Sequence, residues 1–277
     1  MIKAMDTASP SRGIALDQIW PQLQKEATKA QSREPALANF LKTAVISRVS
    51  FIDALSYVLA EKLAVQELSA RQIRDIFTGN LPAEPKIELA ALRDLAAIVD
   101  RDPAAGELIA PFLFFKGFHA LQTYRFAHWL WHKNRRYLAL YLQNRISDLF
   151  AVDIHPAAKI GSGIMMDHAT GVVIGETAVI EDNVSILHNV TLGGTGKQSG
   201  DRHPKIRTGV MIGAGAKILG NIEIGAGARI AAGSVVLEAV PAGVTVAGVP
   251  ARVIGAAGCA RPAEEMDQML EGATISK

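Results

Sequence analysis

The sequence has little cysteine, little net charge and no long apolar run. Cys259 is the only cysteine among 277 residues, so the chain cannot form an internal disulfide, as is typical of a reducing compartment. The formal net charge of +2 gives no electrostatic reason to expect nucleic acid as a partner. No apolar run approaches the length of a membrane span, and MIKAMDTASPSRG lacks the apolar core of a signal peptide. These absences predict a cytoplasmic protein that binds neither nucleic acid nor membrane.

Aromatic residues are missing from the C-terminal part, and glycine is scarce in the N-terminal part. All 16 Phe, Trp and Tyr residues lie at or before Phe150, whereas 20 of the 24 glycines follow it. Packing between helices accommodates aromatic rings readily, and a thin coil does not. The composition predicts a helical N-terminal domain over residues 1–150, a second domain over residues 151–255 and a flexible C-terminal tail over residues 256–277.

Start and stop signals of helices occur throughout the first 150 residues. SARQIRDIF opens with a capping box of Ser69 and Gln72 and is followed by Gly79, a residue typical of helix ends. In DRDPAAGEL, we expect Asp102 to cap a helix that begins at Pro103.

One long apolar helical pattern, FHALQTYRFAHWLWHKNRRYLALYLQNRISDLF, covers residues 118–150. We expect some of its apolar surface to be buried between subunits. His128 and His132 have a spacing that suits a metal, but no third ligand is evident and their aromatic neighbours favour packing.

After Phe150, aliphatic residues recur every six positions. The clearest series is Ile212, Ile218, Ile224, Ile230 and Val236. Glycines between them suit corners, so the period predicts a parallel β-helix whose coils have three six-residue sides. The series extends back to Ile154 with a two-residue shift near Thr170 and Gly171, and it is interrupted over residues 193–209. We interpret GGTGKQSGDRHPKIRTG as a loop on the binding face.

Polar residues that interrupt the coil are the candidates for chemistry. Asp153 and His168 are 15 positions apart, slightly less than one 18-residue coil, so the carboxylate could lie beside the imidazole. An aspartate that fixes the imidazole tautomer makes histidine a directed general base. Spacing alone leaves the alternative open that both residues are hydrated corner positions.

Several longer motifs carry a family resemblance. VDIHPAAKIGSGIMMDHATGVVIGETAVIEDNVSIL, VTLGGTGKQSGDRHPKI and GVMIGAGAKILGNI, together with DRDPA and KGFHALQTYRFAHWLW, resemble bacterial serine O-acetyltransferases. The resemblance covers residues 100–250 and implies an α+β fold in which a helical domain precedes a left-handed parallel β-helix. It also implies acetyl transfer from acetyl-CoA to L-serine, a homotrimer or dimer of trimers, and inhibition by L-cysteine.

The same resemblance implies roles for individual residues. His168 matches the general base and Asp153 its partner. The matched serine-binding positions are Asp102, Asp167, Arg202 and His203. Carboxylates suit the ammonium group of a zwitterionic amino acid, and a guanidinium suits its carboxylate.

Acetyl-CoA is expected in the groove between neighbouring coils, and no metal is expected. Ala214 and Ala232 are small enough for the pantetheine arm, and backbone N–H groups near Gly193 and Gly194 could stabilise an oxyanion. The candidates for the nucleotide phosphates are basic residues of the C-terminal coils, namely Lys217, Arg229 and Arg252.

Three other functions share this coil. Hexapeptide acyltransferases for sugars or antibiotics also use a histidine base, but the long helical domain is not expected in them. A γ-type carbonic anhydrase would bind zinc, for which His168, His188 and His203 could serve as ligands. A non-catalytic coil such as an ice-binding protein would need regular threonine ladders, which the corners lack.

The last residues depart from the family pattern. Many members end in isoleucine, whose carboxylate enters the active site of O-acetylserine sulfhydrylase, but here Ser276 and Lys277 follow Ile275. Because capture of a terminal carboxylate requires it to sit on the anchoring residue, we expect weak or no binding to the sulfhydrylase.

Overall fold

The computed structural model describes residues 14–79, 85–196 and 199–269. The prediction about the sulfhydrylase concerns residues 275–277, which lie outside these ranges. The helices of the N-terminal part are α1 (Leu16–Arg33), α2 (Ala38–Leu41), α3 (Phe51–Leu63), α4 (Ala70–Thr78), α5 (Pro85–Arg101), α6 (Ile109–Phe114), α7 (Lys116–His132) and α8 (Arg136–Phe150), with a 3-10 turn at Pro35–Leu37 and a π turn at Lys42–Ile46. In these ranges, no helix has the length and apolar character needed to span a membrane.

Three sheets of short strands form a parallel β-helix after α8. The first sheet contains β1 (Val152–Ile154), β4 (Val172–Ile174), β7 (Thr191–Gly193), β10 (Lys217–Leu219) and β13 (Val235–Val236). The second contains β2 (Lys159–Ile160), β5 (Val179–Ile180), β8 (Lys205–Ile206) and β11 (Glu223–Ile224). The third contains β3 (Met165–Met166), β6 (Ser185–Ile186), β9 (Met211–Ile212), β12 (Arg229–Ile230), β14 (Val244–Gly248) and β15 (Ala251–Ala256). Only β15 pairs antiparallel among these strands, against β14.

The six-residue series forms the interior of the coil. Most of its isoleucines are buried, and Ile154, Ile186, Ile212 and Ile230 are fully buried. Corner glycines such as Gly215 adopt positive φ, which a residue without Cβ tolerates best. The predicted helical N-terminal part and parallel β-helix are therefore confirmed.

Two irregularities enlarge the coils. Asp153 pairs with Val173, 20 positions later, whereas Lys217 pairs with Val235, 18 positions later. The first coil is thus two residues longer than a regular one. Thr191 pairs with Lys217, 26 positions later, so the loop between β7 and β8 adds eight residues.

The loop is shorter than the expected 193–209. Lys205 and Ile206 form β8, which pairs with both β5 and β11, and Ile206 is fully buried. The coil therefore resumes four residues before Gly209, because Ile206 already occupies the interior position six residues before Ile212.

The capping box of α4 is confirmed, but the predicted cap at Asp102 is wrong. Ser69 and Gln72 form reciprocal hydrogen bonds at the start of α4. By contrast, α5 continues to Arg101, and the Asp102 carboxylate accepts a hydrogen bond from the Ala104 N–H at 2.8 Å. This local bond closes a turn, which competes with helix formation. The next helix, α6, starts only at Ile109.

The long apolar pattern of residues 118–150 forms two helices, because Asn134 adopts a left-handed conformation with φ 60° between α7 and α8. The apolar character of α7 is explained within one chain. Phe118 and Phe126 belong to the core of the helical part, whereas Leu121 and Tyr124 belong to the core of the β-helix.

A buried polar cluster also joins the two parts. Asp94 of α5 is fully buried and accepts hydrogen bonds from Gln122 and Arg125 of α7 and from the Ile164 N–H of the first coil. Burying an unpaired carboxylate would be costly, so these partners fix α5 and α7 against the coil.

The segment after β15 is packed, in contrast to the expected flexible tail from residue 256. Ala257 and Ala263 are buried, and the latter lies in the short helix α9 (Pro262–Glu265). The Ala263 carbonyl accepts a hydrogen bond from the Ser185 hydroxyl at 2.7 Å, and the Asp267 carbonyl accepts one from Arg229 at 3.2 Å.

Candidate active site

The candidate residues fall into two groups at opposite edges of the first sheet. The corner that leads from the third sheet into β4 carries Asp167 and His168, and we call residues 167–170 the His168 corner. The corner that leads from the first sheet into the second carries Glu176 in one coil and Arg202 and His203 in the next. We call these three residues, together with His155 in the coil before them, the Arg202 corner. Gly171 and Glu176 flank β4, and five residues of extended chain separate the two edges by roughly 15 Å.

The His168 corner occupies the two-residue enlargement of the first coil. His168 and Ala169 both have positive φ, at 53° and 59°. The His168 side chain is 77% exposed, and its Nε2 lies 3.9 Å from Oδ1 of Asp167. The imidazole of His188, one coil later, lies edge-on with ring centroids 6.0 Å apart. An exposed imidazole beside a carboxylate can take a proton from a ligand bound outside the coil.

The start of α7 supports this corner from below. The Lys116 ammonium donates to the hydroxyl of Thr170. Gly117 approaches so closely that a Cβ there would lie 2.3 Å from the Met166 carbonyl oxygen and 3.1 Å from the Ala169 Cβ. Only glycine permits this contact between the helix and the strand that leads into the corner.

Asp153 lies between the two edges, on the outer face of β1. Its neighbours Val152 and Ile154 are buried, so its side chain points away from the coil. Gln143 of α8 donates from Nε2 to Oδ1 of Asp153 at 2.6 Å. Within the described part of one chain, no hydrogen bond or ion pair joins Asp153 to His168.

In the Arg202 corner, the guanidinium is held by a carboxylate. Nη2 of Arg202 donates to Oε2 of Glu176 at 2.8 Å, and Nη1 donates to the Gly200 carbonyl at 3.0 Å. The bond from Arg202 lowers the pKa of Glu176 below its usual value, so this carboxylate stays ionised. The pair orients a cation toward the outside of the coil, where it suits an anionic ligand group.

His203 is held in one tautomer. The Thr177 N–H donates to its Nδ1 at 3.2 Å, so Nδ1 is an acceptor and the proton lies on Nε2. A Cβ at Gly175 would lie 2.0 Å from that ring, which therefore packs directly on the glycine. Burial and the adjacent charge of Arg202 lower the pKa of His203. The neutral ring presents an Nε2–H donor at neutral pH.

Asp102 is attached to the coil through its neighbour. The buried Arg101 donates from Nη1 to the Ser185 hydroxyl at 3.1 Å, which ties the end of α5 to β6. Asp102 itself is half-buried, and among the described residues its carboxylate accepts a hydrogen bond only from the Ala104 N–H. The structure thus fixes its backbone at the end of α5 and shows no contact between its carboxylate and Asp167.

The two alanines proposed to line the acetyl-CoA groove share the edge of His168. The Gly215 N–H donates to the His188 carbonyl at 2.9 Å, and the Gly233 N–H donates to the Ala214 carbonyl at 2.8 Å. His188, Ala214 and Ala232 therefore stack above the His168 corner in successive coils. Gly194 lies at the other edge, where a Cβ would be 3.4 Å from Arg202.

The three basic candidates for the nucleotide phosphates differ in exposure. Arg252 of β15 is exposed and donates to the Ala251 carbonyl. Arg229 is only 4% exposed and binds the Thr245 hydroxyl and the Asp267 carbonyl, and Lys217 donates to the Asn189 carbonyl at 2.6 Å. Arg252 is therefore the most accessible of the three.

Some residues of the site were not identified from the sequence. Glu176 and Thr177 lie one enlarged coil, 26 positions, before Arg202 and His203, and this register could have revealed them. Gln143 gave no signal, because its contact with Asp153 depends on how α8 lies against β1.

Comparisons with known proteins agree with this architecture. Residues 19–123 match the family described as serine acetyltransferase, N-terminal, and residues 203–238 match the bacterial transferase hexapeptide repeats. A serine acetyltransferase of Salmonella typhimurium is 56% identical over 257 residues, which cover 93% of this chain and 94% of the relative.

Two solved structures are similar over most of the chain. A serine acetyltransferase in complex with cysteine has a TM-score of 0.90 and 53% identity, and covers 92% of this chain and all of the other. A serine acetyltransferase from Brucella abortus in complex with coenzyme A has a TM-score of 0.86 and 54% identity, and covers 89% of this chain and all of the other.

Proposed function

This chain belongs to the serine acetyltransferase family and transfers the acetyl group of acetyl-CoA to the hydroxyl of L-serine, and we propose that His168, Asp153 and Arg202 carry out the reaction. The products are O-acetyl-L-serine and CoA, and the reaction is the first step from serine to cysteine. The observation that supports these roles best is the exposed imidazole of His168 at an irregular, braced corner of an otherwise regular coil.

In the proposed mechanism, the neutral imidazole of His168 removes the proton from the serine hydroxyl. The serine oxygen attacks the thioester carbonyl of acetyl-CoA and forms a tetrahedral oxyanion. A backbone N–H at Gly194 would donate to this oxyanion. The C–S bond then breaks, and the leaving thiolate takes the proton back from the imidazolium. The ionised carboxylate of Asp153 would orient the imidazole and stabilise its protonated form.

Ion pairs would orient the serine. Asp102 and Asp167 would hold the amino and hydroxyl groups, while Arg202, already oriented by Glu176, would bind the carboxylate. The Nε2–H of His203 would donate to the same carboxylate. L-cysteine carries the same amino and carboxylate groups, so we expect it to compete with serine, as the cysteine complex of the related enzyme suggests.

We further propose that the site is shared between two subunits of a homotrimer. His168 and Arg202 lie at opposite edges of the first sheet, too far apart to hold one serine within a single chain. A threefold arrangement would bring the His168 corner of one subunit to the Arg202 corner of the next.

Acetyl-CoA would extend from the His168 corner along the edge lined by Ala214 and Ala232, toward Arg252. We propose a reaction without a metal, since the general base and the donors above supply the required chemistry. A cytoplasmic location is supported by the single cysteine. Weak binding to O-acetylserine sulfhydrylase remains a prediction about residues outside the described ranges.

Replacing the general base tests the mechanism. For His168→Ala we expect turnover to fall by about 10²-fold or more, because a positioned base contributes that much to proton transfer. The measurement is release of the CoA thiol with L-serine, compared with a sugar hydroxyl as acceptor. His132→Ala removes an exposed histidine outside the site and serves as the control. Near-normal turnover of folded His168→Ala would refute the assignment.

A further inference from the structure

The turn between α8 and β1 brings Gln143 beside Asp153. Ala151 follows the helix in a left-handed conformation with φ 55°, and its N–H donates to the Ser147 carbonyl at 3.0 Å. The chain reverses there, so β1 runs back along α8. As a result, Nε2 of Gln143, two helical turns before the helix end, lies 2.6 Å from Oδ1 of Asp153.

The helix that carries Gln143 is firmly held. Leu142 packs in the core of the helical part, whereas Ile146 and Phe150 pack in the core of the β-helix. Side chains four positions apart lie on one face of a helix, so all three residues anchor the same side of α8. Gln143 therefore donates from a helix that is fixed by packing, which reduces the conformational entropy lost when its hydrogen bond forms.

The chemistry of this pair restricts the carboxylate. An ionised aspartate can only accept hydrogen bonds, so the amide must present its NH₂ group to Oδ1. One oxygen is thereby fixed, and Oδ2 has no donor among the residues that the structure describes. His155 is an ionisable neighbour at the same end of the strand. Burial lowers the pKa of His155, and the nearby charge of Asp153 opposes that decrease.

We propose that Gln143 is a positioning residue that holds Oδ1 of Asp153 and leaves Oδ2 free to accept a hydrogen bond from the imidazole of His168 of the neighbouring subunit in the proposed trimer. This inference rests on the proposed role of Asp153 as the partner of the general base. Through Gln143, the helical part sets the geometry of the reaction in the β-helix. Gln143 touches neither substrate in this arrangement and acts only through Asp153.

The first test is Gln143→Leu, which keeps the size of the side chain and removes the donor. We expect kcat to fall by about 10-fold, as for loss of orientation of a catalytic group, with an unchanged KM for both substrates. Asn144→Leu is the matched control, because Asn144 is exposed on the same helix and its side chain bonds only to Asp148 within the part of the chain that the structure describes. Equal kcat in Gln143→Leu and Asn144→Leu would overturn the proposal.

Gln143→Glu tests the proposal through the pH dependence of kcat, which would not change if Gln143 had only a structural role. Two carboxylates at this distance cannot both be ionised readily, so one pKa is raised. While the shared proton is present, Glu at this position still donates to Asp153. As pH rises through the raised pKa, the proton is lost and the carboxylates repel each other. We expect a descending limb in kcat against pH that wild type and Gln143→Leu lack.

The Asp153→Asn variant separates the possible failures. If it retains near-normal turnover, the proposed role of Asp153 is wrong. If it loses turnover while Gln143→Leu does not, only the inference about Gln143 is wrong. If both hold, the double variant should be no slower than Asp153→Asn alone, because Gln143 acts through Asp153. Additive losses would contradict the proposal, provided that thermal melting shows all variants folded.

Discussion

At the scale of single residues, His168 and Ala169 occupy the left-handed conformations that enlarge the first coil. Each costs about 1 kcal/mol or more for a residue with a Cβ, so the surroundings must hold them. The bond from Lys116 to Thr170 and the burial of Ala169 do so. The same two residues cause the shift in the six-residue series, so the irregularity of the sequence marks the position of the proposed base.

A buried histidine away from the site makes stability depend on pH. His119 of α7 is 1% exposed and donates from Nε2 to the Phe112 carbonyl at 2.9 Å. Burial lowers its pKa from 6.5 to about 4. Between these values the unfolded chain binds more protons, so the contribution to stability is complete above pH 6.5 and falls as pH decreases toward 4. We expect a loss of about 2 kcal/mol between pH 7 and pH 5 from this residue.

His119→Gln tests this expectation, because an amide can keep the donor without taking up a proton. The free energy of unfolding, measured in urea at pH 7 and pH 5 and at one protein concentration, should decrease less in the variant than in wild type. The same decrease in both proteins would exclude His119 as the source.

At the scale of elements, the contact between α7 and the His168 corner makes Gly117 critical. A Cβ there would meet the Met166 carbonyl at 2.3 Å, so Gly117→Ala must push the helix and the corner apart. We expect a loss of about 1–3 kcal/mol in stability from overpacking. A misplaced base should also lower turnover by about 10- to 100-fold.

Gly106→Ala is the control, because a Cβ at that position meets no atom within 4 Å. The measurements are steady-state kinetics and urea unfolding of both variants. Wild-type turnover in Gly117→Ala would show that α7 does not set the position of the corner.

The elements differ in how well the sequence predicted them. The β-helix was predictable because each coil repeats one local requirement, an aliphatic residue at the inner position, as at Ile218 and Ile224. The ends of helices were less predictable, since they depend on local competition. Asn134 breaks the long pattern by a backbone conformation, and Asp102 closes a turn where a helix cap was expected.

At the scale of the whole molecule, the proposed sharing of the site between subunits of a trimer predicts complementation between inactive subunits. His168→Ala and Arg202→Ala can be coexpressed with different tags, and trimers that contain both chains can be isolated. In every such trimer, one of the three interfaces pairs an intact His168 with an intact Arg202. At low serine concentration, we therefore expect about one third of wild-type activity.

The control combines His168→Ala with Asp167→Asn, whose altered residues lie in the same corner. In that mixed trimer, every His168 corner lacks either His168 or Asp167. Its activity should therefore not exceed that of the unmixed variants. Lack of activity in the His168→Ala and Arg202→Ala mixture would contradict a shared site.

The composition of the site was only partly predictable. Family motifs identified His168 and Arg202, whose types suit a base and a carboxylate ligand. They could not show that the two residues lie at separate edges, because this follows from the three-sided path of the coil. The motifs also do not show that Glu176 orients Arg202, a contact that follows from the 26-residue register of the coil enlarged by the loop.

Those eight residues leave the coil undisturbed. β8 pairs in register with β5 before the insertion and with β11 after it. Each coil contacts only the coils above and below it, so a change in the length of this loop does not propagate through the stack. The loop that carries Arg202 can therefore change during evolution without altering the β-helix. Acceptor preference can diverge among descendants of one ancestral coil, while their architecture is inherited unchanged.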